Sequence, residues 1–162
     1  MWAHWWLTVP VRVPLKHNLG WGALMQDLHV AGGCLCGAIR YRVDGSVLTS
    51  AACHCRHCQY VSGGAPAYVF VVGKKSVEIT QGMPSHYDNE SDSGNRRRRY
   101  FCSTCGTPLF AEDSAYPDIV SVKAGSLDDT SLYKPMAQFW VSSAPVWHPI
   151  DPNMASFEKG PK

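Results

Sequence analysis

Along most of this chain hydrophobic positions recur with a period of two, the period of a strand, rather than the 3.6 of a helix. Residues 38–43 alternate apolar with basic and end at Asp44-Gly45, a hairpin-turn pair. Residues 67–72 form an apolar run of strand length closed by Gly73. Residues 76–80 alternate and stop at Gly82. Short strand patterns follow at 98–101, 107–111, 119–123 and 137–141. Residues 125–129 read as a turn that opens at most one helical turn. Residues 88–95 are polar and rich in Ser and Gly, and read as an exposed loop. No long amphipathic helix is expected. The pattern predicts a mainly β protein.

A length of 162 residues suits one domain with its own core. Hydrophobic residues make up 45% and charged residues 17%, which fits a globular chain. A net charge of +2 is too weak to argue for nucleic acid or an anionic membrane. No apolar run reaches the roughly 20 residues that span a bilayer. The expected partners therefore include neither nucleic acid nor membrane. Residues 1–24 are rich in Trp but carry His, Arg and Lys through their middle, and Pro10 and Pro14 break any long helix. A secretory leader places its positive charge before the apolar run. This stretch does not, and a cytoplasmic protein is expected. Residues 1–28 are read as an N-terminal extension and 29–162 as the domain. The extension is either an over-extended start, with Met25 as the natural first residue, or an arm that packs its Trp side chains.

The cysteines change the picture most. Cys34 and Cys36 form C-x-C, Cys53, Cys55 and Cys58 form C-x-C-x-x-C, and Cys102 and Cys105 form C-x-x-C. Seven is odd, which disfavours a disulfide framework. A redox C-x-x-C belongs in a βαβ context that is absent here. Sulfurs in tight loops instead converge on a metal, and soft thiolates point to zinc or an iron–sulfur cluster. The cluster-binding run with Pro after its last Cys is missing. Gly37 and Gly106 follow Cys36 and Cys105, as zinc knuckles require, so zinc is expected, with two ions per chain.

Ligand counting divides seven into four and three. Cys53, Cys55 and Cys58 bind one ion locally. Cys34, Cys36, Cys102 and Cys105 close a tetrahedral structural site between distant segments. Three ligands leave a fourth position for water or substrate, the arrangement of catalytic zinc. A histidine could fill that position instead: His54, His57, His86 and His148 are the candidates. Arg96, Arg97, Arg98 and Arg99 could grip carboxylates or phosphates, or simply form a solvated strand; alternation puts at most two on one face. Phe139, Trp140, Trp147 and Phe157 read as core more readily than as pocket lining.

Three stretches resemble the signatures of the glutathione-dependent formaldehyde-activating enzyme family, which also contains centromere protein V. They are Gly33-Cys34-Leu35-Cys36-Gly37, Cys53-His54-Cys55-Arg56-His57-Cys58 and Phe101-Cys102-Ser103-Thr104-Cys105-Gly106-Thr107. Ser62-Gly63-Gly64-Ala65, residues 125–129, Trp147 and Phe157 agree as well. The resemblance runs over about 30–158. It implies a single domain of curved antiparallel sheets, a β-tent with zinc knuckles. It implies the same four-plus-three division, with Cys53, Cys55 and Cys58 catalytic. The implied reaction joins glutathione to formaldehyde as S-hydroxymethylglutathione, carbon–sulfur lyase chemistry. Arginines near the site would offset its charge. The rival expectation is a non-enzymatic zinc module that binds a protein or small molecule.

Overall fold

Strand β2, Arg40–Cys53, organises the molecule. In this computed structural model, which describes residues 27–160, β2 runs 14 residues and belongs to two sheets. Its first half pairs antiparallel with β1, Asp27–Gly33, on one side and with β4, Val77–Gln81, on the other. Its second half enters a larger sheet beside β3, Ala67–Gly73. From β3 that sheet continues through β8 (Ile119–Lys123), β7 (Pro108–Asp113) and β6 (Arg96–Phe101) to β5 (Ser85–Glu90). The pairing shifts register between Val47 and Thr49, where β2 passes from one sheet to the other. A bulge of this kind bends a strand.

The expected mainly β fold is present, and all pairs named so far are antiparallel. Two short strands depart from this pattern. β9, Ala137–Phe139, joins β2 in parallel, and β10, Ala155–Phe157, joins β9 in parallel.

Between the two sheets lies the core. Tyr41 and Val43 of β2 meet Phe70 and Val72 of β3, Leu109 and Phe110 of β7, and Val120 and Val122 of β8. Tyr41 packs edge-on against Phe110, with ring centroids 4.8 Å apart. Its buried hydroxyl donates to Ser126 Oγ at 2.7 Å, and Ser126 in turn donates to the Lys123 carbonyl. Burial pushes the Tyr41 phenol up to about 12. Cys34 and Cys102 belong to this core, so one cysteine cluster is built into it.

Several sequence expectations are corrected. Asp44-Gly45 is not a hairpin turn: β1 pairs straight across it, His29 with Asp44 and Leu28 with Gly45. Ser76 also packs so close to Gly45 that a side chain there would collide with it. The polar stretch 88–95 is loop only after Glu90, because its start belongs to the edge strand β5, which can be polar on both faces. The last predicted strand, 137–141, stops at Phe139 because Trp140 adopts a left-handed conformation, φ 60°. None of Phe139, Trp140, Trp147 and Phe157 is in the core. Phe139 stacks on Phe157 at 5.0 Å, and Trp147 is 67% exposed and lies over Gly64. The N-terminal extension lies outside the described residues except for its last two, Asp27 and Leu28, which already belong to β1.

Candidate metal centres

Two groups of sulfurs converge. Cys34, Cys36, Cys102 and Cys105 form one, with all four sulfurs within 4.8 Å of one another. Cys36 Sγ lies 3.5 Å from Cys34 Sγ and 3.7 Å from Cys102 Sγ. A tetrahedral ion with Zn–S bonds of about 2.3 Å requires sulfurs about 3.8 Å apart. The donor set and its spacing therefore fit zinc.

Two tight turns of the same design place these sulfurs. The Gly37 amide donates to the Cys34 carbonyl, and the Gly106 amide to the Cys102 carbonyl. Both glycines sit at positive φ, 75° and 74°, in open space, so conformation and not crowding calls for glycine. The Ile39 amide points at Cys34 Sγ, 3.2 Å away. Thr107 Oγ1 accepts from the Leu35 amide and donates to Cys105 Sγ at 3.1 Å, which ties one turn to the other. That hydrogen bond, with help from the Thr107 amide, holds the Cys105 thiol down at about 5. The Ala38 amide favours the thiolate of Cys36, but sharing with Cys34 and Cys105 outweighs it and pushes Cys36 up to about 12.

The other group is Cys53, Cys55 and Cys58, again within 4.8 Å of one another. Cys53 ends β2, Cys55 caps α1 (Arg56–Val61), and Cys58 lies buried in its first turn. Gln59 fixes this loop. Its amide nitrogen donates to the carbonyls of His54 and Ser143, both at 2.8 Å, while Arg56 donates to its oxygen. The His54 amide donates to Phe139, so the loop is also tied to β9. Hydrogen bonds from Cys53 and Cys55 hold Cys58 down at about 2, with added attraction from Lys123 and Arg99.

Among the described residues no histidine joins either group. His54 turns away and packs against His148 at 5.4 Å, with both ring nitrogens buried and without partners. His57 faces Asp92 at 4.0 Å, and His86 packs against Tyr100. Three cysteine sulfurs, with no fourth His, Cys, Asp or Glu donor among the described residues, are thus held at one end of the large sheet.

Strand register turns two more side chains to the Cys53 face of the sheet. Cys53 is paired with Ala67, Val69 with Lys123, Ser121 with Ala111, and Ala111 with Arg99. Side chains alternate along a strand and paired residues share a face, so Cys53, Lys123 and Arg99 point to one side of the sheet. Arg97 shares that side and pairs with Asp113 at 2.8 Å; Arg98, on the opposite face, pairs with Asp88 at 2.8 Å. The four arginines therefore divide two and two. Sequence reasoning gave no special place to Arg99 within its run, nor to Lys123 or Gln59. Their burial depends on which strands become neighbours, and no local pattern reports that.

Fold and site define a class: a mainly β protein whose cysteines form one four-sulfur and one three-sulfur group, each of which could hold a metal ion. The model of the glutathione-dependent formaldehyde-activating enzyme family matches residues 29–143, and the chain belongs to that family. A Halomonas elongata protein that carries the family's name is 27% identical over 125 residues, which cover 74% of this chain and 80% of that protein. A crystal structure of a Rhodobacter sphaeroides protein superposes with a TM-score of 0.52 over 78% of this chain and 98% of that one. At 16% identity it speaks to the fold alone. Among the described residues no helix is long and apolar enough to cross a membrane.

Proposed function

We propose that the protein is a zinc-dependent carbon–sulfur lyase that adds the thiol of glutathione, or a related thiol, to formaldehyde. The observation that carries this reading is the three-cysteine group of Cys53, Cys55 and Cys58, without a fourth protein donor among the described residues, in a chain of this family. A zinc ion there would supply Lewis acidity and favour the thiolate form of a thiol at its remaining position. Cys53, Cys55 and Cys58 hold the ion, and Gln59 keeps their loop from shifting. Cys34, Cys36, Cys102 and Cys105 hold a second ion with a structural role. In the reaction a C–S bond forms at the carbonyl carbon, and the thiol's proton ends on the carbonyl oxygen. The product is S-hydroxymethylglutathione, and the reverse step breaks the same bond.

This addition proceeds without a catalyst, so the test must measure rate and not product. Magnetisation exchange between glutathione and its hydroxymethyl adduct should speed up on adding the protein and return to background with Cys55→Ser. An exchange rate that the protein leaves unchanged would refute the lyase. The exposed side chains of Val146 and Trp147 favour a second reading, a zinc module that binds a partner without catalysis. That reading predicts background exchange from the wild-type protein as well.

A further inference from the structure

We propose that Arg99 and Lys123 form a buried cation pair that makes the three-cysteine site select an anionic fourth ligand, a thiolate, over a neutral one. This rests on the reading of Cys53, Cys55 and Cys58 as an open metal site. Arg99 is 7% exposed and Lys123 8%. Charged side chains are rarely buried to that extent unless they are paired. Every other arginine of β6 has a carboxylate: Arg96 and Arg98 have Asp88, and Arg97 has Asp113. Among the described residues neither Arg99 nor Lys123 forms such an ion pair. Arg99 has only the neutral Asn89 oxygen there, 3.0 Å from its Nε.

The counter-charge lies across the sheet face. Register points both side chains to the side of Cys53. Three thiolates around a divalent ion leave one net negative charge. With Lys123 protonated, which its burial opposes, two cations exceed it by one, and a single anion completes the balance. A guanidinium stays charged throughout, so Arg99 is the fixed member of the pair. Burial makes the imbalance count, because charges interact more strongly where water is scarce. A neutral ligand leaves a buried positive charge uncompensated, whereas a thiolate removes it. The same positive potential would favour the form of a thiol that attacks a carbonyl.

The test uses the full chain with cobalt(II) in place of zinc, titrated in turn with glutathione, azide and imidazole while the cobalt spectrum is followed. Arg99→Gln and Lys123→Gln should each weaken glutathione and azide about tenfold and leave imidazole unchanged. Arg99→Lys and Lys123→Arg, which keep the charge, should stay close to wild type, as should Arg42→Gln, which removes a distant exposed charge. Each variant is first shown to hold two cobalt equivalents, and Lys123→Met or Arg99→Met replaces a glutamine variant that does not. Equal weakening of all three probes, or of none, overturns the selectivity while leaving the open site standing. Wild-type protein that answers no probe overturns the open site and the selectivity together.

Discussion

The two thiolate groups use one chemistry for opposite ends. Cys36 meets Cys102 across 66 positions of sequence, and their group is woven into the core through Cys34 and Cys102. Cys53, Cys55 and Cys58 lie within one local loop and join nothing distant. The four-sulfur group satisfies itself, with backbone amides and Thr107 directed at its sulfurs. The three-sulfur group has no fourth donor among the described residues, and the buried Arg99 and Lys123 are turned to its side of the sheet. A closed set of ligands stitches segments together, whereas an incomplete set in an electropositive setting is arranged for something from outside.

The largest effect that separates the regions should come from Cys105→Ser against Cys55→Ser. Ligand loss at the four-cysteine site unlinks distant strands, and binding energy at a structural zinc is folding energy. Cys105→Ser should give misfolded or insoluble protein, while Cys55→Ser stays soluble and folded. Soluble yield and near-ultraviolet circular dichroism check this, and equal losses would break the comparison. Graded chelation should come next in size. The ion at Cys53, Cys55 and Cys58 should leave first, with the fold retained, and the ion at the four cysteines second, with unfolding. Metal content measured beside circular dichroism reports the order, and simultaneous loss would count against it.

Gln59→Ala should be intermediate. It removes two hydrogen bonds that anchor the loop, one buried and one half-buried, at a cost of about 2 kcal/mol. It should also weaken metal binding at the three-cysteine site without touching the other. Denaturant unfolding and metal content per chain separate the two effects. Gly37→Ala should be the smallest, about 1 kcal/mol, since only left-handed backbone strain opposes it there. A thermal melt measures it, and no change would mean that the knuckle relaxes to another turn.

Much of this was legible from spacing. The three cysteine motifs predicted the two groups, and Gly37 and Gly106 predicted their turns. Strand patterns such as 119–123 coincide with the observed element. What was not legible depends on neighbours. Asp44-Gly45 signals a turn only where the chain reverses, and here β1 and β4 flank β2 and hold it straight on. Strand β5 is polar because it lies at a sheet edge, so its sequence reads as loop. The C-terminal aromatics looked like core, but Phe139 and Phe157 stack on each other at the ends of the short strands β9 and β10, and Trp140 and Trp147 lie beyond β9. Arg99 and Lys123 look like ordinary polar positions until register places them on the same face of the sheet as Cys53.

The central claim is that the three-cysteine site keeps a position for an external thiol. Cobalt(II) protein titrated with glutathione and with S-methylglutathione tests it most directly. Glutathione should raise the sulfur-to-metal charge-transfer band, and more strongly as pH approaches the free thiol's pKa, because coordination releases a proton. S-methylglutathione keeps the peptide but has no ionisable thiol, so the account predicts little change with it. An unchanged spectrum with glutathione, or the same change with both compounds, would contradict the account.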